Sequence, residues 1–269
     1  MRRGLGFVGL MLWLLAASAG ELRWQGQLTQ GGLIVGQASP GTRMELNGQP
    51  ITVGPDGAFV FGFGRDAPPS GRWTILYPDG GREERALMIA QRQYDSQRLN
   101  GLPPDKVTPP PAGLQRIRRE NARLGDARRR DIPQAWFLSG FAWPVTGRIS
   151  GVYGSQRILN GEPRQPHYGV DIAAQLGTPV RAPADGVVTL AEPDLYYTGA
   201  TLIIDHGHRL SSTLMHLDRL DVRVGQQVRK GDIVATVGKS GRVTGPHLDW
   251  RMNWRDARID PALLVPPMP

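Results

Sequence analysis

Glycine and proline account for 35 and 23 of the 269 residues, and they fall between short apolar runs almost throughout, so few stretches could sustain a long helix. In the N-terminal third the runs are Arg43-Met-Glu-Leu-Asn47, Ile51-Thr-Val53, Ala58-Phe-Val-Phe-Gly62 and Trp73-Thr-Ile-Leu-Tyr77, separated by Asn47-Gly48, Asp56-Gly57 and Asp79-Gly80. Asn-Gly and Asp-Gly pairs take the left-handed conformations of hairpin turns, so a small β-sandwich is predicted over residues 21–95. From Phe141 onward strand signals return in Val187–Ala191, Thr201–Asp205, Leu210–His216, Ile233–Val237 and Leu248–Met252. Many short strands with no long apolar helix predict an antiparallel β fold, one face of which forms a groove. Val222–Ile233, with its glycines, reads as a turn between two of these strands.

The two regions are separated by residues 96–135. Gly101-Leu-Pro-Pro-Asp-Lys-Val-Thr-Pro-Pro-Pro111 cannot sustain a helix or a central strand, because proline fixes φ and lacks a donor. It reads as an extended linker. Leu114, Ile117 and Leu124 then recur at helical spacing among arginines, which predicts one basic amphipathic helix over 114–130 lying on a domain surface. The formal charge of +8 would suit nucleic acid, an anionic membrane surface or an anionic polymer such as peptidoglycan. Much of that charge is local, in Arg116–Arg119 and Arg128–Arg130, and says little about the C-terminal half.

Residues 1–19 read as an export signal peptide: Arg2-Arg3, an apolar run from Leu5 to Ala16, and Ala17-Ser18-Ala19 as the cleavage site. The run is shorter than the ~20 residues of a membrane span, so no stable membrane span is expected after signal removal. The mature chain is expected to be periplasmic or secreted, which argues against nucleic acid as a partner. No cysteine occurs, which excludes disulfides and a lipidated N-terminal cysteine.

Chemistry-bearing residues concentrate in 136–269. His167 and Asp171 lie four apart, His247 and Asp249 two apart, and an extended strand would turn each pair to one face, with Leu248 pointing into packing. His216 sits in a similar apolar run, Leu214-Met-His-Leu217. These residue types can bind a metal or move a proton, yet histidines in apolar strands are also common as hydrogen-bonded core residues, and the residues alone leave both readings open.

The stretch from about Gly140 to Leu264 resembles the M23 (LytM/lysostaphin-type) zinc metallopeptidases that cut peptidoglycan, whose signatures are His-x-x-x-Asp and His-x-His with a further His between them. They correspond here to His167-Tyr-Gly-Val-Asp171, His216 and His247-Leu-Asp249, flanked by the similar Gly151–Arg157, Thr178–Val188, Ile204–Gly207 and Gly241–His247. The resemblance implies a mainly β fold ending in an antiparallel LytM-type metallopeptidase domain. It implies Zn2+ as cofactor, His167 and Asp171 as ligands, and His216 and His247 as catalytic non-ligands that orient water, accept its proton or stabilise the tetrahedral intermediate. The third ligand of the family is the last histidine of His-x-His, and Asp249 stands there. Two carboxylates would cancel the charge of a divalent ion and leave a bound water less acidic than one carboxylate and two imidazoles would.

Two functions follow: a zinc endopeptidase acting on peptidoglycan stem peptides or cross-links, or a catalytically degenerate wall-binding protein that activates a partner cell-wall hydrolase. Tyr153 and Tyr168 are each expected in the groove or in packing. His206 and His208 read as turn residues, and Trp250 and Trp254 as core or groove wall.

Overall fold

The computed structural model of the chain describes residues 22–100 and 109–268. The export signal read in 1–19 and most of the proline-rich stretch lie outside the described residues.

Seven strands come first: β1 (Arg23–Gly26), β2 (Leu33–Gln37), β3 (Arg43–Leu46), β4 (Gln49–Ile51), β5 (Ala58–Gly62), β6 (Ser70–Leu76) and β7 (Arg82–Met88). They form two antiparallel sheets, β1-β2-β5 and β4-β3-β6-β7. Trp73 of the second sheet tilts onto Phe59 and Phe61 of the first, with ring centroids 5.6 and 5.2 Å apart. Asn47 and Gly48 turn β3 into β4 at φ 52° and 77°, the left-handed pair that an Asn-Gly hairpin requires.

Within the stretch read as linker, Ser96–Leu99 forms a further strand, β8, and Pro111–Arg128 forms the helix α1. The helix packs through Ala127 and Leu124 on Leu190 and Ile203, while Leu114 remains exposed. Its anchoring is partly polar: buried Glu120 accepts from Arg116 Nε at 2.5 Å and from Tyr196 N at 2.8 Å.

Twelve strands follow: β9 (Arg148–Gly151), β10 (Gln156–Leu159), β11 (Glu162–Pro163), β12 (Val170–Ala173), β13 (Pro179–Arg181), β14 (Gly186–Leu195), β15 (Gly199–Gly207), β16 (Leu210–Leu220), β17 (Gln227–Val228), β18 (Ile233–Val237), β19 (His247–Trp254) and β20 (Ala257–Ile259). The main sheet runs β17-β14-β15-β16-β19-β12-β9 with every neighbour antiparallel. The fold is mainly β, with the expected strands in place. β15 is buried along its whole length, as a strand covered on both faces must be. Segment β8 pairs in parallel with β10, which brings Gln97 to the groove described below. The N-terminal strands pack directly on this region: Arg92 Nη1 donates to buried Asp260 Oδ2 at 2.8 Å, and Arg65 Nε donates to Gly154 O at 2.7 Å.

At the end of β15, His206 is not a turn residue. It is fully buried, with Nδ1 2.7 Å from Asp185 O and Nε2 2.8 Å from Ser212 Oγ, and burial pushes it down to about 4, so it stays neutral. Only His208 enters the turn, at φ 49°. Beside them Asp205 Oδ1 accepts from Gly207 N at 2.7 Å, whereas Oδ2 is buried without a partner. Burial pushes this carboxyl up to about 7 from 3.8. A carboxyl raised in the folded state contributes stability that is complete below pH 3.8 and lost as pH climbs to about 7. Asp205→Asn is therefore expected to change stability little at pH 4 and to raise it by about 2–4 kcal/mol at pH 8, as read from urea unfolding at the two pH values.

Candidate metal centre

The site forms where β9, β12, β19 and β16 lie side by side. Register sets Asp171 opposite both Gly151 and Asp249, and Asp249 opposite Met215. On β19 the strand period holds: His247 and Asp249 face the site, while Leu248 is buried on the other side. His167 departs from expectation, because it lies in the coil before β12 and not on a strand. Its backbone is fixed by two hydrogen bonds, His167 N to Ser155 O at 2.9 Å and Gly154 N to His167 O at 2.7 Å.

The imidazole of His167 is buried between the two carboxylates. Its Nε2 lies 3.1 Å from Asp171 Oδ1 and 3.3 Å from Asp249 Oδ2, and one donor atom from each of the three residues falls within 4.8 Å of the others. His216 and His247 stand beside this cluster with ring centroids 4.9 Å apart, and His247 Nε2 is 3.8 Å from Asp171 Oδ1. Each has Nδ1 against a backbone carbonyl, His216 with Ser240 O at 3.0 Å and His247 with Gly245 O at 2.9 Å. A ring nitrogen facing a carbonyl must donate, so the neutral form of each ring carries its lone pair on Nε2. Burial pushes His216 down to about 4 against the pull of Asp249, which leaves that lone pair available at neutral pH. His216 occupies a break in the β15–β16 register at φ 64°, a strained backbone of the kind that accumulates at functional positions.

Two arginines complete the cluster. Arg157 Nη2 donates to Asp171 Oδ2 at 2.5 Å, which leaves Oδ1 turned toward His167. Arg251 Nη2 donates to Asp249 Oδ2 at 2.7 Å, and its Nε reaches Oδ1 at 3.1 Å. Burial alone would raise the Asp249 carboxyl, but Arg251 and His167 outweigh it and hold the group well below the usual carboxylate range. Asp171 is lowered too: burial and Asp249 oppose ionisation, and His167 and Arg157 prevail. Burial disfavours a charged His167, yet Asp249 and Asp171 raise it on balance.

Close approach accounts for two glycines: a Cβ at Gly151 would lie 2.2 Å from Asp171 Oδ2, and one at Gly169 would lie 2.5 Å from Arg251 Cγ and 2.7 Å from Asp249 Oδ1. Above the cluster opens a groove of about 110 Å³ lined in part by Gln97, Arg157, Asp171, His216, Arg242 and His247. Tyr153 is not part of it. It is buried and donates to Arg258 O at 2.7 Å. Trp250 and Trp254 are core residues.

Two of the three donor separations match those of a zinc site. Bonds of ~2.0–2.1 Å in a tetrahedron place ligand atoms about 3.3 Å apart, and the two separations from His167 Nε2 are 3.1 and 3.3 Å. Asp171 Oδ1 is buried yet makes no aligned hydrogen bond, as a metal-facing oxygen would. The charge balance is less favourable, since the guanidiniums of Arg157 and Arg251 already match the two carboxylates.

A model of peptidase family M23 matches residues 165–261, the span that holds His167, Asp171, His216, His247 and Asp249. A solved structure described as a putative peptidase M23 from Pseudomonas aeruginosa is 30% identical to this chain, with the match covering 88% of this chain and 95% of that one at a TM-score of 0.67. The chain belongs to peptidase family M23. Among curated relatives of this M23 chain, an uncharacterized metalloprotease of Haemophilus influenzae is 30% identical over 188 residues, and the peptidoglycan DD-endopeptidase ShyB of Vibrio cholerae is 34% identical over 117. These matches cover 70% and 44% of this chain but 33% and 24% of the relatives, so the M23 chain spans a third or less of their length.

Proposed function

We propose that the chain is a metal-dependent endopeptidase that hydrolyses peptide cross-links or stem peptides of peptidoglycan, with His167, Asp171 and Asp249 holding the ion, zinc by preference. The observation that supports it most is the clustering of those three donors within 4.8 Å beside a groove lined by Asp171, His216 and His247. Zinc bound there would supply Lewis acidity to the scissile carbonyl and to the attacking water. His216, neutral and fixed through Nδ1 to Ser240 O, offers Nε2 as the proton acceptor. His247, fixed the same way to Gly245 O, faces the developing oxyanion and the leaving amine. Arg157 keeps Asp171 Oδ1 aimed inward by holding Oδ2. Peptidoglycan as substrate draws support from the M23 relative named a peptidoglycan DD-endopeptidase and from the export signal read in the sequence, which would carry the chain to the periplasm or outside.

A second reading, a wall-binding module without turnover that acts through a partner hydrolase, is favoured by one observation: Arg251 already occupies the carboxylate at the third ligand position. Elemental analysis of the purified full-length mature chain beside digestion of isolated sacculi separates the two. The enzyme reading expects about one zinc per chain and soluble muropeptides that disappear on chelation. A metal-free chain that binds sacculi and releases nothing, with or without added zinc, overturns it in favour of the second.

A further inference from the structure

A cluster of arginines lies where two hairpin turns and the end of α1 meet. The register Leu210↔Trp254 places the β15–β16 and β19–β20 turns next to each other. Each turn holds an arginine in the left-handed region, Arg209 at φ 62° and Arg255 at φ 52°, where glycine or asparagine would sit with less strain. Arg128 and Arg129 arrive from the helix and Arg258 from β20. Together they line a pocket of about 90 Å³ in which Asp256 is the one acidic group.

The charges in it are poorly matched. Arg129 pairs with Asp126, whereas among the described residues Arg128, Arg209, Arg255 and Arg258 form no ion pair. Their hydrogen bonds go to neutral acceptors: Arg128 Nε to Leu124 O, Arg255 Nη2 to Pro50 O, and Arg258 Nη1 to Asn253 Oδ1. The Nε atoms of Arg209 and Arg255 are buried with no partner at all. Burial and the neighbouring Arg258 and Arg251 push Arg128 down to about 10, and Arg255 and Arg258 are lowered by burial and by Arg209 and Arg251 respectively. Favourable interaction with a helix C-terminus accounts for Arg128 and Arg129. It does not account for three more arginines on the adjoining strands and turns.

We propose that this pocket binds a phosphoryl oxyanion, either a free phosphate or the phosphomonoester headgroup of a lipid. Five arginines against Asp256, with Arg129 already paired to Asp126, leave a formal excess of three positive charges, and guanidinium forks arriving from several directions suit a tetrahedral dianion whose oxygens each accept more than one N–H. A carboxylate has two oxygens and one charge, and would leave most of these donors unserved.

The test is calorimetric titration of the full-length mature chain with inorganic phosphate at pH 8, with ionic strength held constant by chloride. One site is expected, and Arg209→Gln with Arg258→Gln is expected to weaken it by about tenfold or more. Arg118→Gln, on the exposed side of the helix, should leave it unchanged. If the glutamine pair fails to fold, Arg209→Lys with Arg258→Lys retains both charges but loses the forks, and is expected to weaken binding by roughly threefold or more. Flotation with phosphatidylcholine vesicles, with and without phosphatidate, assigns the source. Flotation that needs phosphatidate and is displaced by phosphate identifies a lipid headgroup, and phosphate binding without flotation identifies a soluble phosphate. No phosphate binding beyond chloride, or equal binding by wild type and a folded pocket variant, overturns the proposal.

Discussion

Asp249→His, the exchange that restores the family's third histidine, is expected to destabilise the chain by about 2–4 kcal/mol and not to raise zinc affinity. The reason is Arg251. It stands two residues along on the same face of β19 and donates to both oxygens of Asp249, so removing the carboxylate strands a guanidinium beside an incoming cation. The cost falls below that of a fully enclosed pair, because the Arg251 side chain keeps 27% of its surface accessible while Asp249 keeps 1%. Adding Arg251→Gln to Asp249→His is expected to recover most of the lost stability and to bind zinc about tenfold or more tightly than wild type, since a positive charge next to the site is gone. Urea unfolding of the three proteins with and without zinc, together with competition against a chelating dye, measures both effects. Non-additivity between the two substitutions is the signature to look for. If Asp249→His alone is as stable as wild type, the Asp249–Arg251 pair does not hold the site together as described.

The strands were legible because they rest on local patterns, alternation and Gly-Asn-Asp turns. The residues of the cluster were not legible from type and spacing alone, which left a metal site and a hydrogen-bonded core equally open for His167, Asp171, His216, His247 and Asp249; the resemblance to M23 motifs singled them out. What escaped depends on contacts that sequence spacing does not encode. His167 reaches Asp171 from a coil held by Ser155 and Gly154, so strand periodicity was the wrong reason for a correct juxtaposition. β8 adds to β10 through pairing between distant segments, and its residues carry no strand signal of their own. The need for glycine at 151 and 169 shows only once the carboxylates they accommodate are seen. Arg251 had a signal that could have found it: in His247-Leu-Asp-Trp-Arg251 the period of two puts it on the face of both site residues. A basic residue there, following a carboxylate at the ligand position, reads as a compensated pair rather than as an isolated substitution.

His167→Ala is expected to abolish zinc binding and to cut muropeptide release by roughly a thousandfold or more, about 4 kcal/mol of transition-state stabilisation. His167 is the one imidazole of the donor set, and its Nε2 touches both carboxylates. Without it Asp171 and Asp249 keep their arginines but face each other across the vacated space, each with one fewer partner. An ion held by two carboxylates already paired with Arg157 and Arg251 would have neither a third ligand nor an excess of negative charge to retain it. His167→Gln tests the same point at closer volume, because an amide restores bulk and a hydrogen bond without a comparable metal donor, and it should lose zinc while losing less stability than alanine. The metal-free binding module expects a different pattern: sacculus binding that survives both substitutions, no zinc to lose, and a change confined to unfolding free energy. Zinc content and turnover that persist in His167→Ala would place the catalytic centre elsewhere in the chain and dispose of the cluster as its location.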